Sequence, residues 1–135
     1  MRFLQLLIKM FGAKHATAVD IDPNAVHIAL DNAERNGVDT KNYRVLAGNI
    51  LTDEKLLAEI SDRKYDVIAA NIVADVIIAF APLVAPMLKD DGTFVTSGII
   101  EDRQEDVKQA LLDAGFKIEN IKQDKDWLCM VCKKA

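Results

Sequence analysis

Short apolar runs alternate with amphipathic stretches along this sequence until its end. There Phe116–Ile121 and Trp127–Cys132 follow one another with only a few polar residues between them, among them Gln123-Asp124-Lys125-Asp126. Parallel strands need a long crossover, whereas a short loop joins only an antiparallel pair. The alternation therefore predicts βαβ units with parallel strands, and the ending predicts an antiparallel hairpin at one edge. The fold class is α/β, with a mostly parallel sheet and a C-terminal hairpin.

The other predicted strands are Ala16–Val19, Tyr43–Ala47, Tyr65–Ala70 and Thr93–Thr96. Leu4, Leu7, Ile8 and Phe11 recur at helical spacing, and Gly12 suits the left-handed cap after them. Asp22-Pro23 marks a helix start, because the carboxylate accepts orphan amides and proline at the first helical position gives up no bond. Val26, Ala29, Leu30 and Ala33 form that helix's apolar stripe, and Asn36-Gly37 its stop. Thr52-Asp53-Glu54 opens a short helix through Leu56, Leu57 and Ile60. Pro82 and Pro86 interrupt the apolar segment from Val76 to Leu88, which predicts two short helices, each with a proline near its start. Asp90-Asp91-Gly92 predicts a turn, Glu101–Ala114 a helix, and Gly115 its cap.

At 135 residues the chain has room for one domain, Met1–Ala135, and its net charge of −4 argues against a protein whose main work is to coat phosphate backbones. No direct nucleic-acid partner is expected. Apolar runs fall short of the ~20 residues that span a bilayer, and the N-terminal stretch, broken by Gln5 and Lys9, has no cleavage site after it. A cytoplasmic protein with no membrane partner is expected. Cys129 and Cys132 have C-x-x-C spacing, yet residues three apart in a strand point to opposite faces, so core packing is the expectation and no metal site is predicted.

Three strand ends carry candidate ligand contacts. Asp20 closes the first strand, where open α/β sheets bind ligands; its carboxylate can accept from a ribose diol, or simply cap the next helix. For Asp22 capping is the favoured role. Asn71 closes the third strand, with an amide able to accept from an amine, though an asparagine there also serves as a turn residue. Asn49, after Gly48, stands at another strand tip within reach of a base edge. Acids in Glu101-Asp102-Arg103-Gln104-Glu105-Asp106 suit a solvated helix start.

Taken together, AVDIDPNAVHIALDNAERNGV, AANIVADVIIAFAPLVAPMLKDDGTFVTSGIIED and DWLCMVCKK resemble the catalytic domain of the ribosomal protein L-eleven methyltransferase family, from about Phe11 to Lys134. VDIDPNAV, NIVAD and SGII are the most specific pieces. The resemblance implies a Rossmann-like methyltransferase sheet, S-adenosylmethionine as cofactor, and methylation of amino groups on a large-subunit ribosomal protein. It assigns Asp20 to the cofactor's ribose, Ile21 to its adenine, and Asn71 to the place where methyl donor and acceptor amine meet, as both a cofactor-binding and a catalytic residue. Asn49 joins Asp20, Ile21 and Asn71 as a cofactor-binding candidate.

The chain departs from this pattern at its start. The family's glycine-rich turn and first strand would lie before Met1, so this polypeptide is expected to begin just after them, without the strand that belongs between those ending in Asp20 and Asn71. Those two strands should then pair with each other or keep open edges that invite another chain, making a homo-oligomer. Cofactor binding by this polypeptide alone is expected to be feeble, because no glycine turn lets backbone approach the methionine portion. The alternative function is a non-catalytic remnant acting as a dimerising interaction module. A nicotinamide-dependent dehydrogenase is a further reading, against which the terminal hairpin and the lack of G-x-G-x-x-G both weigh.

Overall fold

A computed structural model describes residues 16–20, 23–35, 37, 43–62 and 64–135, in two units, Met1–Ile60 and Ser61–Ala135. The predicted helix over Leu4–Phe11, its Gly12 cap, and residues Ile21 and Asp22 lie outside the described residues.

In the first unit, β1 (Ala16–Asp20) and β2 (Tyr43–Ala47) run parallel, in register from Ala16 opposite Tyr43 to Asp20 opposite Ala47. Helix α1 (Pro23–Arg35) makes the crossover and starts at the predicted proline. Its Ala29 is buried, with Val26 and Leu30 half-buried beside it, while His27, Asp31, Glu34 and Arg35 face solvent. Gly37, at φ 72°, donates to the Glu34 carbonyl and, as the predicted stop, closes the helix in the left-handed conformation. Arg44 ties the pair together: its Nε donates to Thr17 Oγ1 at 3.2 Å across the ladder. Its Nη1 donates to the Glu59 carbonyl at 3.4 Å, near the negative end of α2 (Glu54–Ile60).

The second unit is a four-stranded sheet of β3 (Tyr65–Asn71), β4 (Leu88–Ile100), β5 (Phe116–Asp124) and β6 (Trp127–Lys134), in the order β3-β4-β6-β5. β3 and β4 are parallel; β4–β6 and the β5–β6 hairpin are antiparallel. Helix α3 (Ala74–Val84) packs on β4, α4 (Gln104–Asp113) packs on β5, and the two helices pack on each other. Phe94 is the centre of the core: fully buried on β4, it meets Phe80 edge-on at 6.3 Å between ring centroids and Phe116 at 5.4 Å. Ile77, Leu111, Met130 and Cys132 close around that cluster without exposure. Among the described residues, no helix is long and apolar enough to cross a membrane.

Four expectations need adjustment. Pro82 lies inside α3 rather than near a helix start; only Pro86 opens a new turn, the 3-10 segment Ala85–Met87. In the helix's last turn Pro82 forfeits only the bond to the Ile78 carbonyl, and the burial of Ala81 and Val84 outweighs that loss. Asp90-Asp91-Gly92 is not a separate turn. β4 runs through it as a bulge, spending three more residues than β3 between Tyr65–Leu88 and Val67–Thr93. The helix predicted from Glu101 begins as a 3-10 turn, Glu101–Arg103. Lastly, among the described residues two ladders are parallel and two antiparallel, in a two-stranded and a four-stranded sheet.

β1 pairs with β2 alone and β3 with β4 alone, so among the described residues each has one edge without a strand partner.

Candidate active site

Both parallel pairs end in a candidate residue. In the first unit, Asp20 is the last residue of β1, opposite Ala47, and Gly48-Asn49 continue from the same end of β2. Gly48 sits at φ +149°, where a Cβ would stand 2.8 Å from Leu56 Cδ2 and 3.3 Å from Asp53 Oδ2. Only glycine lets the chain turn there against the start of α2. Asn49 builds the turn: its Oδ1 accepts from the Leu51 amide at 3.0 Å, and its carbonyl accepts from Thr52 and Asp53. That commits the side-chain oxygen and leaves the Nδ2 donors for a ligand. Asp53 Oδ1 then accepts from the Leu56 amide at 3.1 Å, capping α2 as its sequence predicts.

In the second unit, Asn71 is the last residue of β3, opposite Ser97 of β4. The side chains of Asp20 and Asn71 are outside the description; their places are those of the backbone. Gly98 follows Ser97 at φ 77°, and here β4 spends one more residue than β6 between the pairs Thr96–Met130 and Ile99–Leu128. A bulge at a strand tip re-aims the chain beside a site. Beneath it, fully buried Thr96 has an Oγ1 without a hydrogen-bond partner among the described residues.

At this end of the sheet, apolar side chains stand exposed. Ile100 and Trp127 are cross-strand partners at the rim, 42% and 55% exposed, and Val73, just past Asn71, is 65% exposed. Ile100, Glu101, Asp102 and Asp126 line an open hollow of about 380 Å³. The sequence reading missed Ile100 and Trp127; the signal for them was the hairpin, whose register puts Trp127 beside the SGII segment. Carboxylates outnumber cations here. Asp75, in the first turn of α3, receives Arg103 Nη2 at 2.6 Å, and this hydrogen bond, with the cation's charge, lowers the carboxyl's pKa. The same hydrogen bond, donated to Asp75, and then the one donated to Asp106 raise the guanidinium's.

Cys129 and Cys132 are free thiols, the second fully buried with Leu128 and Met130 while Cys129 takes the other face of β6. Among the described residues no three His, Cys, Asp or Glu side chains are grouped to hold a metal.

Parallel strand pairs crossed by helices, with an antiparallel hairpin at one edge, place the chain in the Rossmann-like α/β class, and its structural neighbours include methyltransferases. Solved structures agree. The chain superposes on the ribosomal protein L11 methylase of Lactobacillus delbrueckii with a TM-score of 0.83 at 26% identity, over 98% of this chain and 64% of that one. It also shares its fold with an O-methyltransferase family protein of Burkholderia thailandensis, TM-score 0.77 at 12% identity, over 98% of this chain and 47% of that one.

Residues 3–135 match the family model for ribosomal protein L11 methyltransferase, and the chain belongs to that family. Curated relatives of that name are 35% identical over 97% of the chain in Agathobacter rectalis, and 45% identical over 90% in Desulforamulus reducens. The chain covers 41% and 37% of those two proteins, about two-fifths of their length. Every relative named here is a methyltransferase, and the reading as a non-catalytic dimerising module finds no support in them.

Proposed function

We propose that residues 1–135 form, as one domain, the cofactor-facing part of a cytoplasmic protein methyltransferase that uses S-adenosylmethionine to methylate amino groups of a large-subunit ribosomal protein. The supporting observation is the backbone placement of Asp20 and Asn71 at the carboxyl ends of parallel strands, where folds of this kind bind their ligands. The family match over residues 3–135 runs through both units, which favours one domain.

The residues present fit the adenosine half of the cofactor better than its methionine half. Asp20 accepts from the ribose hydroxyls, Ile21 flanks the adenine, and Asn49 offers Nδ2 to a base edge. No closely spaced pair of glycines occurs in the chain to cradle the amino-acid portion. S-adenosylmethionine, when bound, supplies a methyl group that is already a good electrophile. Asn71 holds the neutral acceptor amine in line, so catalysis is chiefly positioning and needs little acid–base machinery. Ile100 and Trp127 border the acceptor side, and Asp75, Glu101, Asp102 and Asp126 favour a basic protein as partner. That β1 and β3 each have a single strand neighbour among the described residues favours self-association of this polypeptide.

The test is an NMR titration of the chain with S-adenosylhomocysteine, with labelled methyl transfer to large-subunit ribosomal proteins measured alongside. Amide shifts centred on Asp20, Asn49 and Asn71 are expected, and Asn71→Ala should abolish transfer while sparing the shifts near Asp20. Shifts confined to other surfaces would overturn the assignment.

A further inference from the structure

The turn that carries Asn71 into α3 has no side-chain cap. Val73 is the N-cap residue, in extended conformation, and its side chain cannot accept the helix's orphan amides. Its carbonyl receives both Val76 and Ile77, each at 3.1 Å. A tie arrives from the other side of the strand pair. Arg103, in the segment leaving β4, donates Nη2 to Asp75 Oδ1 at 2.6 Å and Nε to Asp106 Oδ2 at 3.0 Å. The planar guanidinium thereby joins the first turn of α3 to the first turn of α4, with one fixed fork serving two carboxylates.

We infer that Arg103 is a positioning residue: by holding Asp75 and Asp106 together it fixes the Asn71–Ala74 turn relative to the Ser97–Gly98 bulge. The connection is short. Asp75 lies four residues after Asn71, Arg103 lies six after Ser97, and Asn71 and Ser97 are ladder partners. The loop so closed contains the two strand tips and the two helix starts that follow them. Without the guanidinium, two acids at neighbouring helix starts lose the cation between them, and the uncapped turn keeps only its own backbone bonds. A role in methyl transfer rests on the methyltransferase reading above; the hold on the turn does not.

The test uses the full chain with Arg103→Met, which keeps the aliphatic stem, Arg103→Lys, Asp75→Asn and the double variant Arg103→Met/Asp75→Asn. Amide hydrogen exchange at Val76 and Ile77 should rise about threefold to fivefold in Arg103→Met, the range for a solvent-exposed ion pair. Asp75→Asn should match it, the double variant should add nothing further, and Arg103→Lys should recover part of the protection. Unchanged exchange, or effects that simply add, would overturn the inference. Where the wild-type chain transfers methyl groups, Arg103→Met should lower kcat at unchanged cofactor affinity, with partial recovery in Arg103→Lys; a loss of cofactor affinity alone would count against the inference. Absence of transfer in the wild type is the outcome that feeble cofactor binding would give, and it leaves the exchange result to decide on Arg103.

Discussion

Cys132 offers a quantitative test of the geometry of β6. Burial, and after it the charge of Cys129, push its thiol up from the ordinary value of 9.0 to about 11. At pH 8 a thiol of that kind is ionised to about one part in a thousand, against about one in ten for an ordinary one, so its reaction with a disulfide reagent should be about 100-fold slower. In the folded chain Cys129 should therefore react first and Cys132 only after unfolding in urea. The same shift carries a stability consequence. The unfolded chain loses this proton near pH 9 and the folded chain only near pH 11, so between those values the unfolded state binds fewer protons and stability falls as pH rises. Two pKa units correspond to about 3 kcal/mol, fully present below pH 9 and gone above pH 11. Comparing urea midpoints of the wild type and Cys132→Ala across that window isolates the contribution of this one thiol. Simultaneous reaction of both thiols in the native protein, or parallel pH profiles for the two proteins, would refute a buried Cys132 facing away from Cys129.

Gly48→Ala should destabilise the chain by roughly 1–3 kcal/mol in urea unfolding. Gly115→Ala should cost less, since Gly115 also has positive φ but nothing lies within 4 Å of its Cβ position; equal losses would show that contact with Leu56 is immaterial. Light scattering should show mass above 15.0 kDa that grows with concentration, and a strict monomer throughout would count against open edges. Calorimetry with S-adenosylmethionine should find binding weaker than micromolar for this polypeptide, and micromolar affinity would show that the glycine turn is dispensable.

The parts legible in the sequence were those fixed by local chemistry. A proline after Asp22 set the start of α1, Gly37 and Gly115 closed helices by adopting positive φ, and the shortness of the Gln123–Asp126 link forced an antiparallel hairpin. Register was not legible. Lys125, a non-glycine at φ 57°, lets a two-residue turn join β5 to β6, and that turn decides that Trp127 stands opposite Ile100 at the rim. Bulges in β4 likewise depend on partners distant in sequence, Tyr65 and Val67 of β3 for one and Leu128 and Met130 of β6 for the other. Pro82 was misplaced because local rules count the lost backbone bond and not the packing of Ala81 and Val84. At the site, strand ends were readable from the apolar runs that stop at Asp20 and Asn71, while the Arg103 tie joins residues 28 apart and leaves no periodic trace.

Open edges and weak cofactor affinity are separate expectations, and one substitution tells them apart. Val67-Ile68-Ala69-Ala70 is apolar on both faces, the composition of a strand with neighbours on each side, yet β3 has a strand on one side only among the described residues. Val67 is 40% exposed there, and an exposed apolar edge recruits another strand through its backbone. A lysine at such a position is how natural proteins blunt an edge, so Val67→Lys should return the chain to a monomer. The substitution supplies no glycine turn, so affinity for S-adenosylmethionine should stay where it was. If Val67→Lys raised affinity instead, self-association at this edge, and not the lack of closely spaced glycines within residues 1–135, would be what limits binding.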